Sequence, residues 1–337
     1  MADALPTRTI GSFAVSVIGL GCMNLSHAYG GAPSEQDGAR LLNYALDQGC
    51  TFLDTAALYG EGGNERLLAK AVMHRRGEFT LASKCVLDLI DGKRVLDGKP
   101  ATIKASCDRS LQRLGTDVID LYYMHRLDRN VPIEDSIGAM KELVETGKVR
   151  AIGLSEMSAA TIQRAHAVHP IAAVQSEHSL TVRNPEVAVL DACRRLGIAF
   201  VAFSPVARGL LAGSVTQDAY AAGDIRLTMP RFRDPRLAEN LRLVERFRTL
   251  ADEAGCTPAQ LALAWLLAKD DRIVPIPGTR SIAHLEENLA AGRLSVDPSL
   301  IAAADALFPP NALTGPRYST AAQSQIDTEL LPDEELA

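Results

Sequence analysis

Eight short apolar segments alternate along this chain with segments that have the apolar spacing of helices. Each apolar segment is a nearly continuous run, a pattern typical of parallel strands that are covered on both faces. Eight strand–helix units within about 250 residues match a closed barrel in size, so we predict an α/β fold, a (β/α)8 TIM barrel. The predicted strands are residues 16–22, 51–56, 79–84, 119–125, 149–155, 172–177, 199–205 and 273–278.

Several elements are predicted outside the eight repeating units. A short hairpin at residues 7–15 precedes the first strand, and two extra helices cover residues 237–254 and 298–308. The segment 206–236 is rich in Gly, Arg and Pro and follows the seventh strand. A loop of that length in a compact domain is usually functional.

A doubly wound sheet is the alternative to a barrel. Such a sheet usually carries a GxGxxG motif after its first strand, but here Gly19 and Gly21 are followed by Cys-Met-Asn at 22–24. No break in composition indicates a linker. We therefore predict one barrel domain over residues 1–318 and a loose acidic tail over residues 319–337.

Composition narrows the class of protein. The chain has 337 residues, is 47% apolar and carries a formal charge of −6, which argues against a nucleic-acid surface. No apolar run approaches the ~20 residues of a membrane helix, and residues 1–10 lack the core of a signal peptide.

The six cysteines include no CxxC pair and are interpreted as reduced thiols. His166 and His169 share a helical face, but no acid completes an HExxH motif, so no metal site is predicted. A cytoplasmic enzyme is expected.

Four polar residues stand at or just after the ends of the second, third and fourth strands: Asp54, Tyr59, Lys84 and His125. In a barrel these ends open into one mouth. A phenol has a pKa of about 10, and a nearby ammonium can lower it by roughly 1–3 pH units. A carboxylate would keep the lysine charged, and an imidazole would orient a carbonyl oxygen. The group is suited to protonating the alkoxide that forms when hydride reaches a carbonyl.

Each of these residues also has a structural interpretation when it is taken alone. Asp54 and Lys84 could form a structural ion pair, Tyr59 could be a loop aromatic, and His125 could be a core histidine. Their occurrence at successive strand ends favours the catalytic interpretation.

The segment 274–281 runs from a strand into the start of a helix and contains Arg280. A helix start offers free backbone N–H groups and a dipole that favours phosphate, and a guanidinium adds a charge-assisted contact. An ordinary helix cap with an exposed arginine is the alternative.

A set of motifs extends along residues 10–318: IGLGCM (18–23), FLDTAALYGEGGNE (52–65), SK (83–84), DLYYMHRLD (120–128), GKVRAIGLSE (147–156), QSEHSL (175–180), FSPVARGLLAG (203–213), TPAQLALAWLL (257–267) and VPIPGTRSIAHLEENL (274–289). Together these motifs resemble those of the aldo-keto reductase superfamily. The ending RYS at 317–319 resembles the branch that includes pyridoxal and perakine reductases.

The resemblance implies a barrel that binds NADPH across its mouth, with Tyr59 as general acid, Asp54 and Lys84 tuning it, and His125 steering the carbonyl. It also implies that Arg280, with Thr279, meets the 2′-phosphate. The cofactor-binding residues that it implies are Met23, Asp54, Ser155, Gln175, His178, Ser204, Pro205, Val206, Arg208, Gly209, Gly278, Thr279, Arg280, His284, Glu287 and Asn288.

Three positions depart from the family's usual pattern. His178 stands where we expect a tyrosine that stacks on nicotinamide, so a histidine is predicted in that role. Phe203 replaces a common tyrosine before Ser-Pro, and no consequence is expected. Glu156 replaces a common asparagine.

The predicted function is NADPH-dependent reduction of an aldehyde or ketone to an alcohol. Two alternatives stay open: alcohol oxidation in vivo, and a redox-sensing role like that of potassium-channel β subunits. The partner is a small carbonyl compound, apolar or ring-bearing, with no nucleic acid or membrane expected and no oligomeric state readable. The predicted substrate pocket consists of Tyr29, Leu58, Tyr59, His125, Arg126, Met229 and Phe232, with Tyr318 as a further candidate.

Overall fold

Eight parallel strands form one curled sheet in the computed structural model, which describes residues 4–90 and 93–337. Each strand pairs with its neighbours in chain order. The strands are β1 (Leu20–Gly21), β2 (Phe52–Asp54), β3 (Thr80–Cys85), β4 (Ile119–Met124), β5 (Val149–Ser155), β6 (Ile171–Glu177), β7 (Ala199–Phe203) and β8 (Ile273–Pro275).

Backbone hydrogen bonds next to β1 and β8 close the sheet. Gly19 N donates to Pro275 O at 3.0 Å, and Gly21 N donates to Pro277 O at 3.3 Å. The approach is close at Gly21, where a Cβ would lie 2.8 Å from Ile276 O. The prediction of a (β/α)8 barrel is confirmed.

Helices cover the outside of the barrel, and the two predicted extra helices, α7 (Arg236–Glu253) and α10 (Pro298–Leu307), are present. They pack together through Phe247 and Phe308, whose ring centroids are 5.6 Å apart. The helices are α1 (Glu35–Asp47), α2 (Gly63–Val72), α3 (Pro100–Leu114), α4 (Ile133–Glu145), α5 (Ala159–Val168), α6 (Val189–Leu196), α7 (Arg236–Glu253), α8 (Pro258–Lys269), α9 (Ile282–Ala291), α10 (Pro298–Leu307) and α11 (Thr320–Gln323). Within the described ranges, no helix is both long and apolar enough to cross a bilayer.

Side-chain alternation along the strands divides the apolar residues into two layers. Alternate residues such as Phe52, Leu121 and Val201 point into the barrel, while their neighbours pack beneath the helices. The predicted N-terminal hairpin, Thr7–Ile10 with Phe13–Ser16, adds apolar side chains to the interior layer. Because the interior layer is apolar, polar side chains that point inward are accommodated at the carboxyl ends of the strands.

A second hairpin, Leu87–Ile90 with Lys93–Leu96, lies between β3 and α3 and was not predicted. We call it the inserted hairpin. Its Leu87 packs with Leu58 and Tyr59. The sequence signal was an Asp-Gly pair at 91–92 between two apolar runs, the strongest short-range mark of a hairpin.

The segment after Ser319 is packed against the barrel, which contradicts the loose tail expected from the sequence. Asp327 accepts hydrogen bonds from Ser158 N at 3.0 Å and from Thr161 Oγ1 at 2.7 Å. Ile326 and Thr328 are buried. Glu329 accepts a further hydrogen bond from Ala159 N at 2.8 Å. Asp327 and Glu329 thus satisfy free N–H groups at the start of α5, and their charge anchors the segment to the barrel.

Candidate active site

Three side chains from β2, its following loop and β3 meet at the barrel mouth. Lys84 is fully buried, and its Nζ donates to Asp54 Oδ1, to Thr55 O at 2.9 Å and to Tyr59 OH at 3.4 Å. The first contact is also an ion pair. The register explains the contact, because β2 and β3 are neighbours and both Asp54 and Lys84 point inward at their ends.

The other oxygen of the Asp54 carboxylate is also occupied. Oδ2 accepts a hydrogen bond from Gln175 Nε2 at 2.8 Å, from β6 across the barrel. The carboxylate is therefore held between a cation on one side and an amide on the other, which fixes the position of Lys84 beneath Tyr59.

The charges of this group follow from burial and from one ion pair. Burial alone would lower the pKa of Lys84, but the Asp54 carboxylate and the Tyr59 hydroxyl together outweigh it, and the net direction is upward. The amine therefore stays protonated. Burial raises the pKa of Tyr59 and the Lys84 ammonium only partly opposes it. The expectation of a lowered phenol pKa is wrong for this arrangement. Burial destabilises the phenolate more than the Lys84 ammonium stabilises it.

His125 completes the group at the end of β4. Its ring is edge-on to the Tyr59 ring, with centroids 6.0 Å apart. Its pKa lies well below the ordinary value because of burial first and the nearby Arg126 and Lys84 second. The imidazole is therefore neutral at pH 7. Its Nδ1 is buried and has no hydrogen-bond partner within the described residues.

The loop after β7 has an unusual backbone. Ser204, Ala207 and Arg208 all have positive φ, at 50°, 50° and 56°. Non-glycine residues in this region are strained and persist only where their surroundings fix them. Here Arg208 donates to Glu177 Oε2 at 3.1 Å and to Tyr318 OH at 3.0 Å, both buried. The Tyr318 hydroxyl also donates to Glu177, so β6, the loop and the C-terminal segment are tied together.

The start of α9 forms the far end of the site. Ser281 caps the helix by accepting from His284 N at 3.4 Å. Arg280 is exposed beside it and donates to Gly31 O at 2.6 Å. The free N–H groups of a helix start and a guanidinium thus lie together, as predicted.

A cavity of about 820 Å³ runs from Tyr59 to the start of α9. Every predicted cofactor-binding and substrate-pocket residue lines it except His178 and Phe232, and Tyr318 lines it too. Lys84 is not in its wall and lies behind Tyr59. In the part of the chain that the structure describes, no group of His, Cys, Asp and Glu side chains could hold a metal ion.

The prediction for His178 is wrong. Its ring is fully buried outside the barrel, edge-on to Phe200 and Trp265, with Nε2 3.0 Å from Glu186 Oε1. Alternation gives the reason: on β6 Gln175 points inward, so a residue three positions later points the other way. By the same rule Phe203 on β7 points inward, and it is the aromatic ring that lines the cavity beside Ser204.

The prediction that Phe232 lines the substrate pocket is also wrong. It is 2% exposed and packs behind the loop, where its carbonyl accepts a hydrogen bond from Tyr220 OH at 3.1 Å. It supports the cavity wall rather than forming it.

Sequence reasoning missed several residues in the cavity wall. They come from the turn after β1, the inserted hairpin, the end of β7, the start of α9 and the C-terminal segment. They include Asn24, His27, Leu87, Arg94, Phe203, Ser281, Ala321, Ala322, Gln325 and Ile326.

Comparison with known proteins gives a consistent result. The profile of the aldo/keto reductase family matches residues 17–308. The aldo-keto reductase yakc (NADP(+)) of Schizosaccharomyces pombe is 41% identical over 339 residues, covering 98% of this chain and 99% of that protein. A probable aldo-keto reductase 1 of Glycine max is 43% identical over 286 residues, covering 83% of this chain and 81% of that protein.

Solved structures agree with the sequence relatives. The glycerol dehydrogenase AKR11B4 from Gluconobacter oxydans superposes with a TM-score of 0.83 at 25% identity, covering 98% of both chains. An aldo/keto reductase from Klebsiella pneumoniae, in complex with NADP and acetate, gives a TM-score of 0.73 at 26% identity, covering 94% of this chain and 99% of that one. This chain belongs to the aldo/keto reductase family.

Proposed function

We propose that this protein reduces an aldehyde or ketone to an alcohol with NADPH, and that Tyr59 is the proton donor. Membership of the family makes the chain an NADP-dependent oxidoreductase that acts on carbonyl compounds. The observation that carries the assignment of Tyr59 is its hydroxyl, 3.4 Å from the buried Lys84 ammonium at the inner end of the cavity.

The residues around the cavity fit a dinucleotide phosphate. The strained loop 204–209 and the start of α9 both line the cavity, and Arg280 supplies a guanidinium that could recognise a 2′-phosphate. Ser155 and Gln175 offer side-chain hydrogen bonds to a carboxamide, and Phe203 offers an aromatic face at the end of β7. When bound, NADPH supplies the hydride.

The protein's own groups then complete the reduction. As the carbonyl carbon gains hydride, the C=O electron pair moves onto oxygen, which takes the proton of Tyr59. The ammonium of Lys84 stabilises the resulting phenolate, and Asp54 keeps that ammonium in place. His125, neutral and beside Tyr59, has an N–H that can orient the carbonyl oxygen.

The raised pKa of Tyr59 is consistent with its role as the proton donor of a reduction at neutral pH. Because burial raises this pKa above its ordinary value, the phenol carries the proton that reduction consumes. Alcohol oxidation would need the phenolate form as a base.

Replacing Arg280 with Ala is expected to remove most of the preference for NADPH over NADH. A charge-assisted contact is worth roughly 1.5–3 kcal/mol, which is about 10- to 150-fold in affinity. The measurement is kcat/KM for both coenzymes in the parent and the variant. Arg242→Ala, on the exposed face of α7, is the matched control and should behave as the parent. Equal use of both coenzymes by the parent would refute the assignment of Arg280.

A further inference from the structure

Two arginines on the substrate side of the cavity have no acidic partner. Arg94 lies on the second strand of the inserted hairpin, and Arg126 directly follows His125. Both line the cavity with His27 and Tyr59. Across residues 4–90 and 93–337, no Asp or Glu forms an ion pair with either guanidinium. Their charges act on the same place, since each lowers the pKa of His125 after the larger effect of burial.

Two hydrogen bonds hold the Arg126 side chain in place but leave some of its N–H donors unused. Its Nη1 donates to His125 O at 2.6 Å and to Ser155 Oγ at 3.3 Å. Neither bond uses Nη2, and no other described residue accepts from it. One edge of a planar guanidinium therefore stays available, with the fork geometry that matches a carboxylate or phosphate.

The other arginines in the cavity wall differ from these two. Arg208 pairs with Glu177 at 3.1 Å and Arg226 pairs with Asp224 at 2.7 Å, while Arg280 stands at the distant coenzyme end. The Asp54 carboxylate, the acid nearest the reaction centre, is already paired with Lys84. The substrate side of the cavity thus carries uncompensated positive charge.

Two like charges that share a partly enclosed cavity disfavour each other. The Arg94 side chain is partly exposed to solvent, but its partial burial lowers its pKa, and the charge of Arg126 lowers this pKa further. A bound anion would relieve both costs. The surrounding wall is apolar at Leu58, Leu87 and Met229, so it would take a hydrocarbon body attached to the anionic group.

We propose that Arg94 and Arg126 form an anion subsite, and that the substrates are aldehydes or ketones with an apolar body and a carboxylate or phosphate. This inference rests on the proposed function and changes the expected substrate from an apolar carbonyl compound to an anionic one. Arg94, on the inserted hairpin, binds the anionic group from one side. Arg126 binds the same group and keeps the substrate beside Tyr59.

Matched substrates test the proposal with the full-length enzyme and NADPH. The set is 4-formylbenzoate, its methyl ester and 4-formylphenyl phosphate, which share a ring and an aldehyde. The parent should show a kcat/KM for at least one anion that exceeds that for the ester by roughly 10- to 100-fold. The preferred anion distinguishes a carboxylate substrate from a phosphate one. The advantage should shrink as salt is added.

Variants at Arg94 test whether the preference for the anion over the ester arises from the subsite. Arg94→Gln should bring the ratio of anion to ester close to one, and Arg94→Lys should keep part of it because the charge remains. Arg109→Gln, exposed on α3, should keep the whole ratio.

The outcomes separate the subsite from the reaction. An ester reduced as fast as both anions would overturn the subsite and leave the reductase function standing. An anion preference unchanged in Arg94→Gln would also overturn it. Failure to reduce any of the three aldehydes would count against the function and the subsite together.

Discussion

Replacing Tyr59 with Phe should lower kcat by about 10²- to 10⁴-fold, the usual range for losing a positioned proton donor. The phenyl ring can keep the contacts with His27 and His125, whose ring centroids both lie 6.0 Å from that of Tyr59. The dissociation constant of NADPH, measured by coenzyme fluorescence, should therefore change little. A fall in kcat without a matching loss of coenzyme binding is the expected signature.

A matched variant isolates the role of the hydroxyl. Tyr44→Phe removes a phenol hydroxyl that hydrogen bonds Glu286 on the outside of the barrel. This variant should keep the parent's kcat. Turnover by Tyr59→Phe at the parent's rate would show that another group donates the proton.

The pH profile gives an independent check on Tyr59. Its pKa lies above the ordinary value, so the phenol stays protonated through the neutral range. The rate of reduction should therefore stay level there and fall only when the pH rises through that raised pKa. An inflection well below pH 9 that disappears in Tyr59→Phe would contradict the assigned direction of the shift.

The barrel could be predicted because its signal is repeated. Each strand buries both faces, so each reads as a continuous apolar run, and eight such runs leave little choice of architecture. The same regularity placed Asp54, Lys84 and His125 together, since inward-facing side chains at strand ends share one mouth.

The wrong or missing predictions concern residues whose position depends on side-chain alternation along a strand or on a local turn. His178 and Phe203 were assigned by motif position, and counting alternate residues from Gln175 and from Val201 would have exchanged them. The inserted hairpin was missed because its strands are only four residues each, too short for a clear apolar pattern.

The C-terminal segment shows a limit of composition. Its acids suggested a solvated tail, yet Asp327 binds the start of α5 and Glu335 pairs with Arg236. Only the folded barrel creates the helix start that receives Asp327, so no pattern within the segment could reveal the contact. Arg94 is similar, because nothing in its own neighbourhood of the sequence predicts that it lines the same cavity as Arg126.

Replacing Lys84 with Met should destabilise the fold as well as stop turnover. The substitution leaves the Asp54 carboxylate buried without a cation, and breaking a buried ion pair in this way costs about 3–5 kcal/mol. The measurement is the free energy of unfolding in urea at pH 7. The pKa of Lys84 is raised in the folded protein, so its contribution is fully present below its ordinary pKa of about 10.4 and is lost only at higher pH.

A double variant separates the cost of stability from the loss of chemistry. Lys84→Met with Asp54→Asn removes both charges and leaves an amide that can still bind Gln175, so most of the lost stability should return. Turnover should stay low in both variants, because neither provides a cation for the Tyr59 phenolate. Recovery of kcat along with stability would mean that the ion pair serves the fold alone. A single variant as stable as the parent would show that the Asp54 carboxylate is not confined by Lys84.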